Sequence, residues 1–298
     1  MSLIGGSTKW VLFLSARQDA EPRHVLDLAY GALCLERAGV SISDIAIYVD
    51  GADRVSIENF IKSGTNSSFV LKESKEFFVD QTNNAYENVV MFVTGHGGPD
   101  GIDAPQPITP YALLNCLKSS PNLQRAVVYL GQCYAGIFNY IGAGSKLKGD
   151  GGGSDPDVIF IGATNLHESL SSSTTETFLT GPVSWPANLF LLFAFKWFSN
   201  PVDVDGDGKV TIMDSYKYAG VYSNAVNKQR KAEGLAQSID LQARWIAARD
   251  ANQANPSPPT KLALEAAYTR YATHLAMLYV HQECWILNAI PSQRIEAL

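Results

Sequence analysis

Five short apolar runs, rich in β-branched and aromatic residues, punctuate the first two thirds of the chain: Trp10 to Leu14, Ile45 to Val49, Val89 to Val93, Ala126 to Leu130 and Val158 to Ala163. None alternates with polar residues, so each predicts a strand covered on both faces, as in a parallel sheet. Between the first two, Val25, Leu28, Ala32 and Leu35 recur at helical spacing and Gly39 supplies a stop. That pattern is a βαβ unit with a right-handed crossover. Helical stretches expected after Thr109 and after Tyr134 continue the alternation, and Trp185 to Phe198, apolar but carrying Lys196, reads as a core helix. The prediction is an α/β fold: a doubly wound, mostly parallel sheet flanked by helices, with chemistry gathered at the carboxyl ends of the strands.

At 298 residues and 46% hydrophobic, the chain can bury one large core or two small ones. A net charge of -6 without long runs of either sign offers no footprint for nucleic acid or anionic lipid, so neither is expected as a partner. No stretch reaches the roughly 18 to 20 apolar residues of a spanning helix. The run from Trp10 to Ala16 is too short and strand-like for a signal peptide, and Cys34, Cys116, Cys133 and Cys284 lack paired spacing. Reduced thiols and a cytoplasmic setting are the expectation, with secretion left open. Oligomeric state is not legible.

Two domains are expected: residues 1–222, including an acidic loop at 203–214, and residues 223–298 as a helical extension packed on or beside the first. In the extension a polar helix runs to about Asp250, NQANPSPPT forms a linker, and Lys261 to Leu287 reads as one long helix. Leu264, Tyr268, Tyr271, Leu275 and Leu278 give it an apolar face.

Two of the strands end in chemistry-bearing residues. VVMFVTGHGG places His96 just past one, and AVVYLGQCYAG places Cys133 just past another, so both fall on one edge of a parallel sheet. If these strands are neighbours, imidazole and thiol face each other as base and nucleophile. Gly97 and Gly98 would let the backbone approach a substrate carbonyl, the Gly97 and Cys133 amides forming an oxyanion hole, while Gly131 and Gly136 permit the turn that exposes the sulfur. A lone cysteine or histidine has an ordinary structural role; the pair at matching strand ends does not. Cys34 and Cys116, in helical stretches, read as structural. Cys284 does too, since with His281 it offers only two of the four ligands usual for zinc.

These motifs resemble clan CD cysteine peptidases, most closely the legumain (asparaginyl endopeptidase) family, with caspases and metacaspases second. The likeness runs from about Trp10 to Phe198: PRHVLDLAYGALCLERAGVSISDIAIYVD is similar to the legumain opening, FVTGHGGPDG to its histidine motif, YLGQCYAG to its cysteine motif and ATNLHES to the segment after the next strand. The resemblance implies a caspase-like sandwich and an endopeptidase acting on protein or peptide substrates. Cys133 attacks, His96 transfers protons, the Gly97 and Cys133 amides bind the oxyanion, and no cofactor takes part in the chemistry. Arg23 matches the arginine of the family's specificity pocket, whereas the acidic residue after the cysteine is Tyr134 here. With the arginine kept and its acids gone, a net-positive pocket favouring Asp or Asn at P1 is expected. His24, His167 and Ser169 are expected near that cleft, as pocket wall or as support behind it. A transamidase or ligase on the same dyad, and a caspase-like interaction scaffold without required hydrolysis, stand as alternatives. The glycine-rich segment Gly142 to Asp157 lies where related peptidases are often cut on activation, and the helices after Ser223 could cover the cleft as the legumain pro-region does.

Finally, DVDGDGKVTIMD, Asp203 to Asp214, follows the EF-hand loop template. Asp203, Asp205, Asp207, the Lys209 carbonyl and Asp214 are the expected ligands, with Thr211 direct or through water. Oxygen donors alone suit a hard cation, so a structural calcium ion is the expectation. Position 12 is Asp, shorter than the usual Glu. A solvated acidic turn at the start of a helix is the competing interpretation.

Overall fold

The structure, a computed structural model, describes residues 2–144, 155–278, 280 and 282–298. It divides into two units: Met1–Ser223 together with Gln282–Leu298, and Asn224–His281.

The first unit is built on a seven-stranded sheet. In chain order the elements of the whole chain begin with β1 (Thr8–Ser15), α1 (Pro22–Arg37), β2 (Ile45–Val49), α2 (Arg54–Gly64), β3 (Leu71–Lys72), α3 (Ser74–Gln81) and β4 (Asn88–Gly95). A two-residue pair, β5 (Gly97–Gly98) and β6 (Gly101–Ile102), precedes α4 (Pro110–Lys118), β7 (Arg125–Leu130) and β8 (Asp157–Gly162). A hairpin of β9 (Ser172–Phe178) and β10 (Gly181–Ala187) leads into α5 (Leu189–Ser199). Then come α6 (Ile212–Ala254), α7 (Pro258–Leu278), β11 (Trp285–Leu287) and α8 (Ala289–Ser292). The sheet order is β11-β8-β7-β4-β1-β2-β3, parallel throughout except for β11.

The unbroken apolar runs explain this architecture. Alternate side chains point to opposite faces of a strand, so such a run feeds two cores at once. Trp10, Leu12, Val90, Phe92, Val127, Tyr129, Ile159 and Ile161 join one core with α1, α2 and α5. Val11, Phe13, Val89, Met91, Val128, Leu130, Val158 and Phe160 join the other with α3 and α4. The helices start on their own signals: Asp53 caps α2, Thr109 caps α4 ahead of Pro110, and Asn188 caps α5.

Several expectations are corrected. The stretch after Tyr134 is a 3-10 segment, Ala135–Tyr140, in which Gly136 lies close against the Asn165 backbone and its N–H donates to Asn165 O at 3.2 Å. Trp185 belongs to β10, and the core helix begins only at Leu189, after its Asn188 cap. Of Gly142 to Asp157, residues 145–154 lie outside the described residues, as does His281. The expected helix from Lys261 to Leu287 ends at Leu278, and Cys284 precedes a strand.

That strand sets the domain boundary. β11 pairs antiparallel with β8, and the Trp285 indole lies on Gly162, where a methyl would come within 2.3 Å of the ring. Trp285 Nε1 donates to Thr164 O at 2.7 Å, and beyond it Glu296 bridges to Ser2 and to Thr211. Gln282–Leu298 therefore belongs with the first unit, whereas the sequence suggested an uninterrupted extension. In the second unit α6 and α7 fold back on each other, with Trp245 stacked on Tyr271 at 5.6 Å and His274 Nε2 donating to Gly234 O at 2.8 Å. Among the described residues no helix is long and apolar enough to cross a membrane.

If the C-terminal strand is integral to the sheet, Trp285→Ala will lower the unfolding free energy by about 3–5 kcal/mol. Denaturant titration checks this; a change below about 1 kcal/mol would make β11 a loose appendage.

Candidate functional site

β4 and β7 are adjacent and parallel, paired from Asn88↔Arg125 to Val93↔Leu130, and Gly131 N extends the ladder to Val93 O at 2.8 Å. His96 and Cys133 thus follow the last register pair at the same offset. A methyl on Gly97 would lie 2.4 Å from the Cys133 carbonyl oxygen and 2.5 Å from Gln132 Cγ. The backbone leaving His96 therefore rests on the backbone of Cys133, and only glycine fits between them.

Gly95, at φ 113, turns the chain out of β4, and Tyr134, at φ 55, takes the left-handed turn after the cysteine. Gly131 and Gly136 serve close packing, against Leu191 and Asn188 and against the Asn165 backbone. Gly98 has open space where a side chain would be.

Cys133 is half-buried, and its sulfur accepts the Ser169 N–H at 3.2 Å, a contact that fixes where the sulfur points. Tyr134 N donates to His167 O at 2.9 Å, so the segment after β8 frames the cysteine turn. The His167 ring turns toward its own segment, 2.6 Å from Glu168 O and 3.0 Å from Thr164 Oγ1. Ser169 Oγ accepts from Gln282 Nε2 at 3.0 Å.

On the other side of the site His96, with its ring half exposed, places Nε2 2.5 Å from Glu21 Oε1. Glu21 is the N-cap residue of α1, yet its carboxylate makes no cap; it is committed to His96 and to Arg23. Arg23 Nε donates to Glu21 Oε2 at 2.6 Å and Nη1 to Ser171 Oγ at 2.8 Å. The Arg23 hydrogen bond is the main cause that holds the Glu21 carboxyl at about 2, below its ordinary 4.5. The expected net-positive environment is corrected here, because Glu21 neutralises Arg23 directly.

His24 is buried beneath His96, its ring edge-to-face at 5.2 Å between centroids, and so stands behind the site. Its Nδ1 lies 3.1 Å from Thr94 Oγ1, which donates to Asp27 Oδ2 at 2.8 Å. Asp27 also receives Trp185 Nε1 at 2.9 Å and Asn188 N at 3.4 Å. Two buried polar groups beside His96 and Cys133 have no partner among the described residues: His24 Nε2 and the Gln132 side-chain amide.

Sequence reasoning missed Glu21, Thr94, Asp27 and Gln132. Two carried a signal: an acid directly before a proline at a helix start, and an aspartate inside the apolar helix face HVLDLAYGALCL.

In the acidic loop, Asp203, Asp205 and Asp214 bring carboxylate oxygens within 4.8 Å of one another. Asp203 accepts from Gly206 N and Gly208 N, while Asp214, buried, accepts from Val204 N, Thr211 N and Thr211 Oγ1. Asp207 accepts from Lys209 N and stands outside the cluster, and Lys217 pairs with Asp205.

No protein-family model and no curated protein matches the chain. Among solved structures it is similar to caspase-1 from Spodoptera frugiperda, at 12% identity and TM-score 0.40 over 73% of this chain and 77% of that one. It is also similar to a secreted C11 cysteine protease from Bacteroides thetaiotaomicron in complex with an irreversible peptide inhibitor, at 13% identity and TM-score 0.29, over 54% of this chain and 50% of that one.

The four thiols are not equivalent. Burial pushes Cys34 up to about 12 and Cys116 and Cys284 up to about 11. Only a thiolate alkylates readily. Iodoacetamide near neutral pH will therefore modify Cys133 first, as read by peptide mapping. Equal labelling of Cys34 in the folded protein would contradict this.

Proposed function

We propose that the chain is a cysteine endopeptidase working through a Cys133–His96 dyad. The supporting observation is the equal offset of the two residues past neighbouring parallel strands, with Gly97 packed on the Cys133 carbonyl. The sequence resemblance to the legumain family points the same way.

In this mechanism the Cys133 sulfur attacks the scissile carbonyl carbon, and the Gly97 and Cys133 amides receive the oxyanion. His96 takes the thiol proton and passes it to the leaving amine as the C–N bond breaks, leaving a thioester. Water, deprotonated by His96, then attacks the thioester carbon, the C–S bond breaks to release the acid product, and the Cys133 sulfur takes the proton back from His96. Glu21 holds His96 through Nε2, which leaves Nδ1 as the nitrogen for the thiol and the amine. Glu21 is thus a positioning residue, and its depressed pKa keeps it a carboxylate across the neutral range. An amine in place of water would give transamidation on the same dyad.

Arg23 is proposed to read Asn or Asp at P1. Because Glu21 already cancels its charge, asparagine gains relative to aspartate. Cys133→Ala will abolish cleavage of a P1 peptide library, and Glu21→Gln will lower kcat by about 10- to 10⁴-fold with KM nearly unchanged. An active Cys133→Ala variant would sink the dyad, and cleavage after lysine or arginine would sink the pocket assignment.

We also propose a structural calcium ion held by Asp203, Asp205 and Asp214, with Asp207, the Lys209 carbonyl and Thr211 completing the set. Hard oxygen donors suit that ion, and the backbone N–H groups on Asp203 and Asp214 orient two of the carboxylates. Calcium at a hundredfold excess over its Kd will stabilise the fold by about 2.7 kcal/mol, and Asp203→Ala will remove the effect. Absence of calcium binding by the wild type in isothermal titration rejects the site.

A further inference from the structure

A ring nitrogen of His24, a ring nitrogen of His96 and a carboxylate oxygen of Glu21 lie within 4.8 Å of one another. The tautomer of His24 follows from its neighbours. Asp27, as a carboxylate, only accepts, so the single Thr94 hydroxyl proton goes to Asp27 and Thr94 Oγ1 accepts from His24 Nδ1–H. In the neutral ring Nε2 then carries a lone pair. It is buried in a residue only 5% exposed and has no partner among the described residues. Leaving a buried polar nitrogen unpaired is costly unless something fills it.

We infer that Glu21, His24 and His96 form a site for a borderline divalent transition metal, Zn²⁺ being the natural occupant. Two imidazoles and one carboxylate match three-ligand zinc sites, which leave the fourth position to solvent. Here the exposed sides of His96 and Glu21 supply that opening. Imidazole donors disfavour calcium and magnesium, which separates this site from the acidic loop. The chain Asp27–Thr94–His24 has the form of the outer support that metal-binding histidines use, the far N–H tied to a carboxylate through one hydroxyl.

Glu21 Oε1 and His96 Nε2 are 2.5 Å apart in the metal-free arrangement, where a proton sits between them. Ligand distances of about 2.0–2.2 Å at tetrahedral angles require a separation of about 3.3 Å. The Glu21 side chain, nearly half exposed, has room to withdraw by that amount. The metal thus replaces the shared proton.

The consequence for activity rests on the peptidase proposal. A metal on His96 Nε2 withdraws that ring from proton transfer, so Zn²⁺ acts as a reversible inhibitor that EDTA relieves. Binding itself needs no activity, and the two claims fail separately.

Isothermal titration of the full chain with ZnCl₂, and absorption spectroscopy with CoCl₂, test the site directly. The expected result is one zinc site and a tetrahedral cobalt spectrum in the wild type, unaffected by millimolar calcium. Thr94→Val, which removes the support for His24, will weaken zinc by about 10- to 100-fold. Glu21→Gln, at an exposed position that leaves the fold intact, will weaken it at least as much. Zinc affinity unchanged in both variants, or no binding by the wild type, overturns the site. Zinc binding without hydrolysis of any library peptide would leave the site standing and remove the peptidase reading. Hydrolysis unaffected by zinc at concentrations that fill the site would leave the peptidase reading standing and overturn ligation of the metal by His96.

Discussion

The carboxylate of Asp27 is the interaction on which the site depends. It sits inside α1, almost fully buried, and collects the Thr94 hydroxyl at the end of β4, the Trp185 indole of β10 and the Asn188 N–H at the start of α5. A buried charge is tolerable only when donors surround it. Each of these donors leads onward. Asn188 Nδ2 donates to Gly131 O at 2.5 Å, two residues before Cys133, and Thr94 lies two residues before His96. One buried anion therefore ties together a helix, a hairpin, a helix cap and both strand ends.

Charge compensation at the mouth of the site follows a similar logic. Glu21 stands between Arg23 and His96 and gives one oxygen to each. Its carboxylate is not needed as a cap, because Pro22 has no N–H and the His24 N–H is already taken by the Glu21 backbone carbonyl at 3.0 Å. The same carboxylate thus holds the His96 imidazole and the Arg23 guanidinium together.

The strand ends meet because β4 and β7 are buried on both faces and their register is set by two cores at once. A slip of one residue would exchange the two cores' side chains, which the flanking helices do not allow. Gly97 then converts register into contact, since only hydrogen in place of Cβ permits the backbone to rest on Cys133.

The five unbroken apolar runs were enough to specify a parallel sheet, because a strand without polar alternation has to be covered twice; the placement of His96 and Cys133 at one sheet edge followed from that. The acidic loop was visible from spacing alone. Other features depended on contacts between distant segments, which periodicity does not encode. β11 is three residues long and becomes a strand only because β8 offers an open edge and Gly162 admits the Trp285 ring. Glu21 reads in the sequence as a surface acid before a proline, and its role appears only when α1 and the end of β4 come together. The lone pair on His24 Nε2 likewise exists through the fold, since Thr94 and Asp27, far apart in the chain, decide which nitrogen holds the proton.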